Sequence, residues 1–321
     1  MTPDSDCSNS PLFARQELDD VLADLGLADQ EQARVREYRE RGYLVIDLQD
    51  PQFESRAASI IQALAPQYPP QDRRIEEAWY AEPGVKALAI EPQILQLLQV
   101  LYGRRPIPFQ TLNFDSGTEQ ATHSDTLHFH CRPERYMAGV WIALEDVDGD
   151  NGPLVVYPGS HRLPVETMGS LGLEGKASAY PGYERGIAKL IEEQGLVGHE
   201  LPMRKGHALI WAANLLHGGT AIRDDKRTRH SQVTHYYFDN CAYHVPLASE
   251  PEKGRYTHRE VIDISTSQFV PHLHEGREIR LSRLRTVQRY PRPLPRGVLE
   301  PRDWMRKPLR LFYSLLGALG R

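Results

Sequence analysis

HSDTLHFHCRP, residues 123–133, is the stretch on which the reading of this chain turns. On a strand, residues i and i+2 point to the same face, so His123 and Asp125 would present an imidazole and a carboxylate side by side. That pair becomes a metal site only if a second imidazole arrives from elsewhere. An HxD tripeptide alone is common and is more often a surface turn. The sequence around it is β-like. Short runs follow one another at Phe109–Phe114, Thr126–His130, Ala138–Leu144, Leu154–Tyr157, Ala208–Trp211 and Arg229–Phe238, with turn signals at Asp150-Asn151-Gly152 and Pro158-Gly159 between them. Many short strands with Gly and Pro turns predict a barrel or a double-sheet jelly roll.

Upstream the pattern is mostly helical. A short helix is expected around Phe13–Leu25, and a second over Gln30–Arg41, ending at Gly42. Tyr43–Leu48 reads as a strand and Phe53–Leu64 as a helix. Ile75–Tyr102 reads as helical in two pieces around Glu91-Pro92. Downstream, Leu163–Val197 interrupts the strands. It has a Gly-rich stretch and a helical segment near Gly186–Gln194, and reads as a lid-like insertion over one rim.

The distal imidazole that best completes the half-site is His217, in WAANLLHGGT (Trp211–Thr220), after an apolar strand and before two glycines. His207 competes, but it lies before that strand. Small residues after His217 would let a ligand approach a metal there. Two imidazoles and one carboxylate on one face leave open positions on iron for a bidentate cosubstrate and dioxygen. Twelve residues after His217 comes Arg229, opening RHSQVTHYY. In strand geometry Arg229, Ser231, Val233, His235 and Tyr237 share a face. An inward arginine is costly unless it meets an anion, and a guanidinium fork suits a carboxylate. The plainer reading is a surface ion pair. Arg223 and Arg227 sit in a polar turn and read as solvated.

HSDTLHFHCRP, then WIALED (Trp141–Asp146), then NGPLVVYPGSH (Asn151–His161), resembles the central block of the phytanoyl-CoA dioxygenase family of iron and 2-oxoglutarate oxygenases. YRERGYLVI (Tyr38–Ile46) is similar to the family's usual opening. The likeness covers roughly residues 34–245. It implies a mainly β fold with flanking α-helices around a double-stranded β-helix (jelly-roll, cupin-like) core. It implies His123, Asp125 and His217 as catalytic iron ligands. It implies Arg229 for the far carboxylate of 2-oxoglutarate and Trp141 lining the cosubstrate pocket, with Asn113 and Thr220 as further cosubstrate contacts. Fe(2+), 2-oxoglutarate and O2 are the implied cofactor and cosubstrates. The implied reaction is hydroxylation of a C–H bond in a small-molecule or lipid-like substrate. Where relatives halogenate, this carboxylate is replaced by a small residue, so Asp125 points to hydroxylation. Ser124 departs from the glutamine many members carry.

Other histidines have plainer readings. His128 and His130 offer a second metal pair on paper, but read as one core and one cleft residue. His161 reads as part of a structural turn. Two rival functions share the barrel. One is a zinc-dependent cupin-like isomerase or hydrolase, which would have no use for Arg229 as a dicarboxylate anchor. The other is a non-catalytic binding module, which the intact triad argues against.

The chain has 321 residues, 40% hydrophobic and 25% charged, ordinary for a soluble globular protein. Its three cysteines, Cys7, Cys131 and Cys241, are odd in number and widely spaced. That argues against a disulfide framework and suits a reducing cytoplasm. There is no apolar run long enough to span a bilayer, and the acidic N-terminus is unlike a secretory leader. The net charge of −5 is uneven: residues 277–321 carry +9, leaving −14 elsewhere. The expected organisation is an N-terminal segment 1–30, an oxygenase domain 31–250 with the insertion 163–197, and a basic extension 251–321 packed on or near it. Pro291 to Asp303 reads as extended. Pro308–Leu319 could form a helix with a leucine-rich stripe, a candidate for weak peripheral membrane contact, though a helix docked on the barrel or on a second subunit is the plainer reading. A small-molecule substrate is expected and no nucleic acid.

Overall fold

The computed structural model describes residues 9–69, 73–175, 177–249, 254–274, 276–279 and 286–287. The expected extended stretch 291–303 and the helix 308–319 lie outside the described residues, as does Cys7. Six α-helices are described: α1 (Leu18–Asp24), α2 (Asp29–Arg41), α3 (Phe53–Leu64), α4 (Pro83–Ala89), α5 (Pro92–Tyr102) and α6 (Tyr180–Glu193). No described helix is long and apolar enough to cross a membrane.

The strands that build the core are β1 (Tyr43–Asp47), β2 (Arg74–Glu76), β3 (Pro106–Phe114), β4 (His130–Arg132), β5 (Met137–Ala143), β6 (Leu154–Val156), β7 (His199–Leu201), β8 (His207–Ala212), β9 (His217–Gly219), β10 (Ser231–Phe238), β11 (Ala242–His244) and β12 (His258–Arg259). One sheet has six antiparallel strands in the order β1-β8-β5-β10-β3-β2. A smaller sheet runs β7-β6-β9. A further sheet contains β12, β11 and β4.

The two faces of the six-stranded sheet do different jobs. Its inner face meets the β7-β6-β9 sheet. Trp141, Leu209, Trp211, Val233 and Phe114 pack there against Val156, Leu154 and Leu201. The outer face packs on the helical layer through Val140, Ile142, Ile210 and Tyr236, against Ile60, Val85, Leu98 and Leu101. This explains why β5 (MAGVWIA) and β10 (SQVTHYYF) are buried along their whole length and lack a clean in–out alternation. The architecture is mainly β, a double-stranded β-helix with flanking helices.

Local signals placed most helices well. Pro83 and Pro92 open α4 and α5, where a missing N–H costs nothing. Gly42 ends α2 at φ +79°, and a Cβ there would fall 2.3 Å from His161 Nδ1. Three expectations need correction. The single helix over Phe13–Leu25 is a 3₁₀ turn at Leu12–Ala14 followed by α1. The first part of Ile75–Tyr102 is not helical: Arg74–Glu76 is a strand on the sheet edge, paired with β3. Thr126–His130 is not a strand: Asp125–Leu127 forms a 3₁₀ turn capped by Ser124, and the next strand starts at His130. The last two misses are short segments, one set by a strand partner distant in sequence and the other by a single side-chain cap.

Candidate metal centre

His123 and His217 face each other across an isolated antiparallel bridge. Each backbone N–H donates to the other's carbonyl, at 2.9 and 3.0 Å. The two glycines after His217 make this closeness possible. A Cβ on Gly218 would sit 2.8 Å from Gln120 O, and one on Gly219 3.0 Å from Glu119 N. Their smallness therefore admits the 118–122 loop, rather than clearing the approach of a ligand to a metal. Asp125 follows on the turn, not on a strand. The shared side arises because Ser124 is extended (φ −117°, ψ 137°) before the chain turns.

These three side chains form the one His/Cys/Asp/Glu cluster of metal-binding geometry among the described residues, with a donor atom from each within 4.8 Å of the others. His123 Nε2 is 3.8 Å and His217 Nε2 3.9 Å from Asp125 Oδ1. All three residues are buried. In both histidines Nδ1 is tied to a backbone carbonyl, Ala121 O at 2.9 Å and Leu215 O at 3.0 Å. That fixes the proton on Nδ1 and turns a lone pair on Nε2 inward. Burial, followed by the charge of His217, pushes His123 down to about 4, so it is neutral and able to ligate near neutral pH. Burial works against the charge on Asp125. The neighbouring His217, His235 and His123 and the indole N–H of Trp211 outweigh it, leaving the carboxyl below its usual value.

Asp125 is held from behind. Trp211 Nε1 donates to Oδ2 at 2.8 Å, which leaves Oδ1 for the space between the imidazoles. The indole fits because residue 139 is glycine: a Cβ there would lie 2.2 Å from Trp211 Cε2 and Cζ2. His235 Nε2 lies 3.7 Å from Oδ2, and its Nδ1 is 2.9 Å from Gln110 Oε1. Trp211 escaped the sequence reading, and His235 was placed only on the face shared with Arg229. Period-two alternation along β8 and β10 would have put both on the inner face, but nothing in the sequence said which strand lay behind Asp125.

Arg229 stands just before β10, where its N–H donates to Asp115 O. It is 1% exposed. Nη1 donates to Gly152 O at 2.8 Å, Nε has no hydrogen-bond partner among the described residues, and the guanidinium carbon lies 5.7 Å from the centre of the Trp141 ring. Burial lowers its pKa to about 10, opposed by Glu145, so it is still a cation at neutral pH. Thr220 is on the same turn: its hydroxyl donates to Pro153 O at 2.9 Å, next to the Gly152 carbonyl that Arg229 uses. Asn113 is not brought to this face. Its Nδ2 is 3.4 Å from Gln232 Oε1, and Gln232 donates to Val85 O of α4, so both point to the helical layer.

Helix α6 supports the centre from one side. Tyr183 of α6 is buried with Leu127 and Leu216, and its hydroxyl accepts from Ser124 N at 3.2 Å. His130 stacks on His244 with ring centres 5.1 Å apart, and His128 faces the Tyr180 ring at 5.6 Å, so the two do not converge. His161 Nε2 donates to the Arg39 carbonyl at 3.1 Å, as a turn residue would. Cys131 and Cys241 are free thiols.

Residues 91–231 match the family described as phytanoyl-CoA dioxygenase (PhyH). Peroxisomal phytanoyl-CoA dioxygenase of Rattus norvegicus is 27% identical over 192 residues, covering 56% of this chain and 52% of that protein. Ectoine dioxygenase of Halomonas elongata is 26% identical over 188 residues, covering 54% of this chain and 55% of its own. The chain thus spans about half the length of the curated relatives it matches. Among solved structures, the non-heme alpha ketoglutarate dependent carbocyclase SnoK superposes with a TM-score of 0.55 at 19% identity, over 68% of this chain and 87% of that one. The epimerase SnoN, solved with Fe3+, alpha ketoglutarate and nogalamycin RO, gives 0.54 at 21%, over 67% and 86%. These two likenesses bear on the fold.

Proposed function

We propose, from the match of residues 91–231 to the phytanoyl-CoA dioxygenase family and from the buried cluster, that this chain is a non-haem Fe(II)- and 2-oxoglutarate-dependent dioxygenase that hydroxylates a C–H bond of a small-molecule substrate. One observation carries the reading: two imidazoles with Nδ1 already committed to carbonyls, and one carboxylate oxygen, converge in a buried cluster. The donor set fits ferrous iron. A His₂-carboxylate face would hold such an ion while leaving room for a bidentate cosubstrate and dioxygen. Iron with 2-oxoglutarate and O2 supplies the oxidising chemistry.

The chain's own residues do the rest. His123 and His217 offer Nε2, and Asp125 offers Oδ1. Trp211 keeps Oδ2 occupied, so the carboxylate presents one oxygen instead of two. Arg229 is the anchor for the far carboxylate of 2-oxoglutarate. A buried cation whose Nε lacks a partner gains by meeting a dicarboxylate, and Trp141 gives that guanidinium an aromatic wall. Burial of the cluster keeps bulk water from the reacting centre.

The test is oxygen uptake and succinate release with Fe(II) and 2-oxoglutarate, in wild type and in Asp125→Ala. Wild type should turn over slowly even without its primary substrate, and Asp125→Ala should show no turnover. Equal succinate release from both proteins would overturn the assignment.

A further inference from the structure

Arg259 is a second buried arginine with no carboxylate paired to its guanidinium among the described residues. β12 carries it in, and the side chain is 4% exposed. Its Nε and Nη2 are buried without a hydrogen-bond partner among the described residues. The guanidinium carbon lies 4.5 Å from the centre of the Phe129 ring and 5.7 Å from that of Phe109. A cation over two aromatic faces is held in place, while its Nε and Nη2 donors have no hydrogen-bond partner among the described residues. The acid that senses it electrostatically is Glu77, whose carboxylate accepts from Trp79 Nε1 at 2.7 Å. Burial pushes Glu77 up to about 8, with Trp79 and then Arg259 opposing, so near pH 7 that carboxyl is mostly protonated and does not cancel the charge.

The place is informative. Arg229 stands at the start of β10, and Arg259 stands near its end, where Phe109 stacks on Tyr237 at 4.1 Å. Phe129, four residues after Asp125, has its ring centre 4.7 Å from that of His235, and His235 Nε2 is 3.7 Å from Asp125 Oδ2. Two rings, Phe129 and His235, therefore link Arg259 to Asp125. Two buried cations flank one cluster. If 2-oxoglutarate uses one, the other is left for a different anion.

We propose that Arg259 is a substrate-binding, specificity-determining residue, and that the primary substrate is a small organic acid with an apolar body. Its oxyanion, a carboxylate or phosphate, pairs with the Arg259 fork. Its apolar part lies along Phe129 and Phe109 and directs a C–H bond toward the metal cluster. Because Arg259 is buried, the anion belongs to a group that enters the interior, not to a bulky carrier left at the rim. This inference deepens the oxygenase reading and rests on it.

Calorimetry on wild type and Arg259→Gln, each loaded with Mn(II) and 2-oxoglutarate so that the Arg229 side is filled, tests it with three probes: hexanoate, hexyl phosphate and hexanamide. Wild type should bind one of the two anions at least tenfold more tightly than the neutral amide. Which anion wins identifies the headgroup. Arg259→Gln should lose that preference while keeping its affinity for 2-oxoglutarate. Equal binding of acid and amide by wild type, no binding of either anion, or a preference that survives Arg259→Gln would overturn the proposal. The wild-type acid-against-amide comparison decides the matter if Arg259→Gln does not fold. If instead 2-oxoglutarate fails to bind Mn(II)-loaded wild type, the oxygenase reading falls, and hexanoate binding to the unloaded proteins still tests Arg259 as an anion site.

Discussion

Trp211→Phe removes one hydrogen atom's worth of chemistry from behind the metal cluster. The indole N–H donates to Asp125 Oδ2 at 2.8 Å. His235 Nε2, at 3.7 Å, is too far to replace it. A hydrogen bond to an ionised group contributes about 1.5–3 kcal/mol, and the loss leaves a buried carboxylate lone pair unmet. At about 1.4 kcal/mol per tenfold, that range is roughly 10- to 150-fold in metal affinity. It agrees with the roughly 10- to 100-fold cost usual for partners that orient metal ligands. Phenylalanine keeps most of the packing, so the fold should lose only about 1–2 kcal/mol, within the ordinary range for a core substitution. The assay is equilibrium dialysis of Mn(II) against wild type and Trp211→Phe, with thermal melts to show that both are folded. Metal affinity should fall at least tenfold, with much of the turnover restored at saturating metal. A folded variant that binds metal within about twofold of wild type would refute the idea that Trp211 orients Asp125.

Three further outcomes follow from the same geometry. Gly139→Ala puts a methyl 2.2 Å from the Trp211 ring, so it should weaken metal binding as Trp211→Phe does although it touches no ligand; unchanged metal affinity would sink that link. Arg229→Gln should raise the Kd for 2-oxoglutarate about tenfold or more and leave the Kd for Mn(II) alone unchanged, because it removes a charge-assisted contact to the cosubstrate only; calorimetry showing an unaltered 2-oxoglutarate Kd would remove Arg229 from the site. Acid should destabilise the metal-free protein early. His161 and His272 are held neutral down to about 4 and His244 to about 3, chiefly by burial, against an ordinary value of 6.5. The unfolded chain therefore takes up protons first. Stability is complete above about pH 6.5 and drains as pH falls toward 4, at up to about 1.4 kcal/mol per pH unit per histidine. Urea midpoints should drop between pH 7.5 and pH 5, and a flat profile would contradict the burial argument.

Local chemistry was enough for much of this molecule. Gly42, Pro83 and Pro92 announce helix ends because a positive φ or a missing N–H is a property of one residue. β-branched runs with Gly and Pro turns declared a mainly β core, since strand propensity and turn chemistry act over a few residues. The convergence of His123, Asp125 and His217 was foreseeable because metal ligation demands imidazole and carboxylate together, and the structure brings the three side by side. What the sequence withheld depends on long-range register. Trp211 reaches Asp125 across 86 residues, and only the pairing of β8 with β5 opposite Gly139 puts it there. Asn113 looked like a pocket residue, yet the side of β3 it occupies is settled by which face the helices cover. Arg259 gave no signal at all, because an arginine in an irregular stretch is ordinarily solvated. Only folding that segment against Phe109 and Phe129 turns it into a buried charge, and burial is a property of the whole packed structure.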